Sequence, residues 1–225
     1  MRTRGMKSPF APRIEVALKR SETVLIAVAG IWLVLISAGL WALAGYEFTS
    51  GGTGKAPTSW PAESRIERDP AQATLVMAVH PKCPCSRASI GELAIAMTRM
   101  QGRTKAHVLF YKPAGYAEDW VKTDLWRDAA AIPGVSVEED EEGVEAERFG
   151  ARVSGDVLLY DTSGKLRFHG GITASRGHAG ENRGRQAVVA IASGEKTDRA
   201  ETPAFGCMLH GAKPPTSSTA TGMKQ

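Results

Sequence analysis

From Val24 to Gly45 no charged side chain interrupts the sequence. At the rise of an α-helix such a run extends about 33 Å, enough to cross the hydrocarbon core of a bilayer. Trp32 and Trp41 lie within it, Tyr46 stands at its far end and Lys19 and Arg20 at its near end. Basic residues before the run and few after it predict a single-pass anchor over residues 23–46, with its N-terminus in the cytoplasm and the rest of the chain outside. A removed signal peptide is the alternative, since Ala42-Leu43-Ala44 has the small-x-small form of a cleavage site. Both readings carry residues 50–225 across the membrane.

Beyond the anchor the pattern changes twice. Thr49 to Pro61 is rich in Gly, Ser, Thr and Pro, with little to bury, which predicts a flexible spacer within a linker over residues 47–64. From residue 65 to 195 short apolar runs alternate with helical patterns. Ala73 to His80 predicts a buried strand ended by Pro81. Ser86 to Met100 follows with Ile90, Leu93, Ala94, Met97 and Met100 at helical spacing. Ser89 and Glu92 have the spacing of a capping box, which would delay the regular helix. A strand over Ala106 to Tyr111, a helix over Asp119 to Ala131 and a short strand over Val135 to Val137 come next. The acidic stretch Glu138 to Glu147 predicts a solvated loop running into a helix. Strands over Asp156 to Tyr160 and Lys165 to His169 flank the turn Asp161-Thr162-Ser163-Gly164. A glycine-rich loop then runs to Arg185, a short helix covers Gln186 to Ser193, and residues 196–225 form a loop and a tail, disordered from Pro214. Helix-separated strands followed by a hairpin predict an α/β domain: a mixed central sheet flanked by helices.

Charge narrows the partners. Residues 1–22 hold a net charge of +4, the whole of the chain's formal net charge of +4. The pI of about 9.0 therefore belongs to a basic cytoplasmic tail. A folded part with balanced charge lacks the basic surface that nucleic acid requires, so no nucleic-acid partner is expected.

The candidate chemistry lies in three cysteines, Cys83, Cys85 and Cys207. So few do not make a disulfide scaffold. His80-Pro81-Lys82-Cys83-Pro84-Cys85-Ser86-Arg87 sits at a strand end and opens a helix, where backbone N–H groups and the helix dipole favour an anion. Lys82 and Arg87 add positive charge, so a thiolate nucleophile is expected here. Cys85 or Cys207 would resolve a mixed disulfide formed at Cys83. The competing chemistry is metal binding: three thiolates, with His80 or another histidine as a fourth ligand, would suit copper(I) or zinc. His169, Arg176, His178, Arg183 and Arg185 gather in or beside the glycine-rich loop, as candidates to bind an anion or to close over the cysteines.

At this motif the chain resembles the thioredoxin-like superfamily over about residues 65–195. The likeness continues in Phe149 to Gly164, with its apolar triplet Val157-Leu158-Leu159 and the D-x-x-G of Asp161 to Gly164. HPKCPCSRAS, FHGGITASRGH and the late FGC are similar to bacterial proteins labelled RedB. The resemblance implies a thioredoxin-like fold and an envelope thiol–disulfide oxidoreductase acting on protein thiols or disulfides, with Cys83 as attacking cysteine and no required cofactor. Copper or zinc delivery, or a non-catalytic partner-binding role, are the alternatives on such a fold. Two positions depart from the superfamily's pattern. The cysteine spacing is C-x-C, which puts Ser86 where a resolving cysteine belongs, and Gly155 stands where a cis-proline is usual.

Overall fold

The computed structural model describes residues 11–52 and 54–209. The first ten residues of the basic tail and the expected disordered end lie outside the described residues. The chain divides after Glu47 into an N-terminal helical unit and a globular unit.

Helix α1, Ala11–Phe48, contains the apolar run; an 18-residue window within Glu22–Phe48 has a mean hydropathy of 2.4, and none of it is buried. It is long and apolar enough to cross a membrane.

The globular unit contains strands β1 (Ala73–Val79), β2 (Thr104–Lys112), β3 (Val135–Glu141), β4 (Asp156–Tyr160) and β5 (Leu166–Gly171). Its helices are α2 (Pro84–Arg99), α3 (Asp124–Ala130), α4 (Val144–Arg148) and α5 (Arg183–Ala192), with a 3-10 turn at Glu118–Trp120. The strands form one mixed sheet in the order β3-β2-β1-β4-β5. β1 pairs in parallel with β2 and β2 with β3, whereas β4 runs antiparallel to both β1 and β5. The expected mixed α/β sheet is therefore present. β1 lies at its centre and is apolar on both faces: Leu75, Met77 and Val79 join one core with Leu93 and Met97 of α2, and Val76 and Ala78 join a second with Phe149 and Tyr160. A central strand covered on both sides reads as a continuous apolar run rather than an alternating one.

Four expectations are corrected. The capping box does not form. Helix α2 starts at Pro84 with Cys83 as its N-cap residue, and both Ser89 and Glu92 are buried inside it. The acidic stretch is not a solvated loop, because β3 runs on to Glu141 as an edge strand. There Glu138 pairs with His107 at 2.7 Å and Glu139 with Lys112 at 3.1 Å. Asp140 is buried and accepts hydrogen bonds from the backbone N–H groups of Glu145 (2.8 Å) and Ala146 (2.9 Å), which caps α4. The helix expected over Asp119 to Ala131 is broken into the 3-10 turn and α3.

Residues 54–60 are not a free spacer either. The Trp60 N–H donates to Gly164 O (2.8 Å), the Leu166 N–H to Thr58 O (2.9 Å) and the Tyr160 hydroxyl to Pro57 O (3.1 Å). Trp60 packs edge-on against Phe149 and Tyr160 at 5.0 and 5.2 Å. One large aromatic ring with an apolar partner surface is enough to lay a polar segment down on the domain.

Candidate functional site: three thiols at the end of the central strand

The site is built where β1 hands over to α2. Pro81 follows β1, and the turn closes with the Cys83 N–H donating to His80 O at 3.1 Å. Pro84 occupies the first turn of α2, where a missing N–H costs nothing. Cys83 is left at the helix N-terminus, buried to 3% exposure. The segment after α4 meets this turn. His80 N–H donates to Ser154 Oγ (2.9 Å), the hydroxyls of Ser154 and Ser86 are 2.6 Å apart, and the Ser86 hydroxyl donates to His80 O (3.1 Å). Either hydroxyl of the pair can donate, and the three contacts form a closed ring through His80. Gly155 follows at φ 88°, and a Cβ there would lie 2.6 Å from Ser89 Oγ. This is a left-handed residue in close approach to a helix, which only glycine fills without strain.

The C-terminal segment completes the site. It returns antiparallel along the same residues: the Ser154 N–H donates to Cys207 O (2.8 Å), the Leu209 N–H donates to Arg152 O (2.9 Å), and Val153 bridges to Met208. A Cβ on Gly206 would sit 1.8 Å from Ser154 O, so the two backbones touch there. The result is a sulfur–sulfur distance of 2.9 Å between Cys83 and Cys207, residues 124 apart in the chain. All three cysteines are free thiols.

The three thiols are not equivalent. Burial pushes the Cys83 thiol up. Hydrogen bonds from the Cys207 side chain and backbone, the Cys85 backbone and the Ser86 hydroxyl outweigh that burial and hold Cys83 below the ordinary thiol value. Burial raises Cys85, and the charge and hydrogen bonding of Cys83 raise it further, with Arg176 opposing. Cys207 is pushed up to about 12, by burial first and then by its hydrogen bond to Cys83 and the Cys83 charge; Arg176 again opposes. Of the three, Cys83 is thus the thiol that ionises most readily, between two whose ionisation is pushed up. Lowering of this kind at a helix N-terminus is how reactive cysteines are made.

The remaining candidates separate. Arg176 reaches the site, and its Nη1 donates to Gly206 O at 2.6 Å. His80 turns to aromatic partners, stacked on Tyr111 at 5.8 Å and edge-on to Trp120 at 5.6 Å, while Lys82 lies 4.6 Å over the Trp120 ring. Arg87 pairs with Asp124 and Asp128 on the surface. His169 is buried against Asp156, its Nε2 3.2 Å from Oδ1. Arg185 is buried on Glu92, which also accepts from the Gly180 N–H (2.6 Å) and Asn182 Nδ2 (3.0 Å). His178 bonds to Ser175 Oγ at 2.8 Å. Among the described residues no group of three or more His, Cys, Asp and Glu side chains is arranged to hold a metal ion. Ser154 and Glu92 are the site residues whose roles the sequence did not foretell: nothing in the local pattern says that a hydroxyl 74 residues away reaches the His80 backbone.

No family model matches this chain, and no curated protein matches it. Solved structures do. A hypothetical protein from Sinorhizobium meliloti matches at 22% identity and a TM-score of 0.52, covering 72% of this chain and 94% of that one. An uncharacterised conserved protein from Geobacillus kaustophilus matches at 18% identity and a TM-score of 0.52, covering 74% and 94%. The exposed lipoprotein thioredoxin Etrx1 of Streptococcus pneumoniae is more distant, at 14% identity and a TM-score of 0.41 over 62% of this chain and 99% of that one. The fold is thioredoxin-like: a mixed sheet flanked by helices, with the cysteine motif between β1 and α2.

Proposed function

We propose that this chain is a thiol–disulfide oxidoreductase of the bacterial envelope, held to the cytoplasmic membrane by α1, in which Cys83 attacks and Cys207 resolves. The observation that carries the reading is the 2.9 Å separation of the Cys83 and Cys207 sulfurs. A lowered thiol beside a raised one is the arrangement of an attacking and a resolving cysteine. Ser86, at the usual place of a resolving cysteine, is engaged in the hydroxyl ring, and Cys207 takes that part from the other end of the domain. Cys85 stands beside the pair as a third thiol. The basic residues before the apolar run of α1 favour an N-terminus in the cytoplasm and a globular unit in the periplasm or outside. Protein thiols or disulfides are the partners that such a pair serves.

The test is differential alkylation of the full chain in detergent, before and after a mild oxidant, with the linked peptides mapped by mass spectrometry. The expected result is a reversible loss of two thiols that joins the Cys83 and Cys207 peptides. Three thiols that stay reduced, and become protected together by one bound copper(I) or zinc ion, would replace this reading with metal carriage. Thiols that neither oxidise nor bind metal would leave a non-catalytic partner-binding domain.

A further inference from the structure

The glycine-rich loop delivers one cation to the thiols. Arg176 follows buried Ser175 in a tight turn, in which Ser175 Oγ and His178 Nδ1 lie 2.8 Å apart, His178 Nδ1 lies 3.0 Å from Arg176 O, and Gly177 takes φ 70°. The next residues are tied to α2, since Glu92 accepts from Gly180 N–H and Asn182 Nδ2. From this base Arg176 Nη1 donates to the carbonyl of Gly206, the residue before Cys207, at 2.6 Å. On the following peptide, Cys207 O accepts from the Ser154 N–H at 2.8 Å. Two separate elements therefore grip the backbone on either side of the Cys207 side chain.

Resting on the reading of Cys83 and Cys207 as attacking and resolving thiols, we propose that Arg176 is a positioning residue for the resolving step, holding Cys207 against Cys83 and supplying the positive charge beside its thiolate. The chemistry makes that charge count at one moment. Cys83 thiolate attacks a disulfide R–S–S–R′. The substrate S–S bond breaks, a Cys83–S–S–R bond forms, and R′–S⁻ leaves to take a proton from water. Cys83 no longer carries charge, so its hydrogen bond and its repulsion, two of the causes that keep Cys207 protonated, are gone. Arg176 remains. Cys207 then yields its proton to water and attacks the Cys83 sulfur. The bond to R breaks, the Cys83–Cys207 disulfide forms, and R–S⁻ leaves to be protonated. Two electrons have passed from the cysteine pair to the substrate. In the reverse direction Cys207 is the leaving thiolate, and the same cation stabilises it.

The experiment uses the full chain in detergent, with Cys85→Ser so that two thiols remain, fully reduced and mixed with one equivalent of 5,5′-dithiobis(2-nitrobenzoate). The first release of coloured thiolate reports attack by Cys83, and the second reports resolution by Cys207. Arg176→Gln is expected to change the first release less than the second and to move the pH profile of the second upward. The second release slows by about threefold at neutral pH for each unit of that shift, because loss of thiolate outweighs the gain in nucleophilicity. Arg176→Lys is expected to restore most of the profile. A second release with the same pH profile in Arg176→Gln overturns the proposal. So does equal slowing at all pH in the Gln and Lys variants, which would mean grip without charge. If the chain with Arg176 intact gives no second release, the assignment of Cys207 itself falls, and that failure is seen before any Arg176 variant is compared.

Discussion

Ser86 and Ser154 lie hydroxyl to hydroxyl at 2.6 Å, and both also bond the backbone of His80. The ring ties the start of α2 to the segment that carries the C-terminal return. Ser154→Ala removes the hydroxyl partner of Ser86 and leaves the His80 N–H without its acceptor. The expected cost is about 1–3 kcal/mol, the penalty of an unsatisfied buried polar group. A lowered urea midpoint at unchanged slope is the measurement. A midpoint equal to wild type would show that water or a shifted backbone replaces the ring.

Cys83 is held below the ordinary thiol value chiefly against burial and chiefly by Cys207. Its alkylation rate by iodoacetamide should therefore rise with pH around a midpoint below that of an ordinary cysteine thiol. Cys207→Ala removes the hydrogen-bonding side chain, and the midpoint should move upward. Cys85→Ser retains the Cys85 backbone N–H and the Cys207 bond, and its midpoint should stay below that of Cys207→Ala. A profile for Cys83 that ignores Cys207 would contradict the hydrogen bond.

Gly155 has φ 88° and no room for a Cβ beside Ser89. Gly155→Ala combines left-handed strain with a clash, and about 1–3 kcal/mol of destabilisation is expected. The lesion lies next to Ser154, so disulfide formation between Cys83 and Cys207 should slow as well. Thermal unfolding and the rate of disulfide formation are to be read on the same sample.

Glu92 and Arg185 are a buried ion pair, at 1% and 3% side-chain exposure. Glu92→Ala leaves the buried guanidinium to Glu181, an exposed partner at 2.6 Å, and frees the loop that leads to Arg176. A loss of about 3–5 kcal/mol is expected, as for other broken buried pairs. Replacing both residues with apolar ones should be far milder, and a double-mutant cycle measures the difference.

Burial opposes a charge on His169, but the hydrogen bond and charge of Asp156, with the charge of Glu201, raise its pKa above the ordinary value. The raised value means that the folded state holds the proton more tightly than the unfolded chain. The stability it contributes is full below about pH 6.5, the unfolded value, and is lost as pH rises through the higher folded value. Urea midpoints of wild type and His169→Gln should therefore converge as pH rises. A constant gap between the two curves would exclude a titrating pair.

Much of this fold was legible in the sequence, for reasons tied to particular residues. The apolar run from Leu75 to Val79 is central because both faces are covered, and the D-x-x-G at Asp161 to Gly164 could only be a tight turn. Helix α2 was legible in its apolar spacing and in the motif that opens it, whereas the capping box misled, since Pro84 sets the first turn more firmly than Ser89 and Glu92 can. The acidic stretch misled because an edge strand needs only one covered face, and charges on it find lysine or histidine across β2. For the candidate site, the position of Cys83 between strand and helix was legible. That the Cys207 sulfur lies against it was not, because chain separation says nothing about which segment returns.

The separation of 124 residues between Cys83 and Cys207 has a thermodynamic consequence. A bond between them closes a loop that takes in most of the sheet, and loops of about 100 residues lower the entropy of the unfolded chain by about 4.7 kcal/mol at room temperature in the chain-entropy model. Linkage is reciprocal, so whatever the bond adds to the stability of the fold, the fold adds to the stability of the bond. A mutation that weakens the oxidised fold more than the reduced one should then make the disulfide easier to reduce, and the redox potential becomes a gauge of that difference.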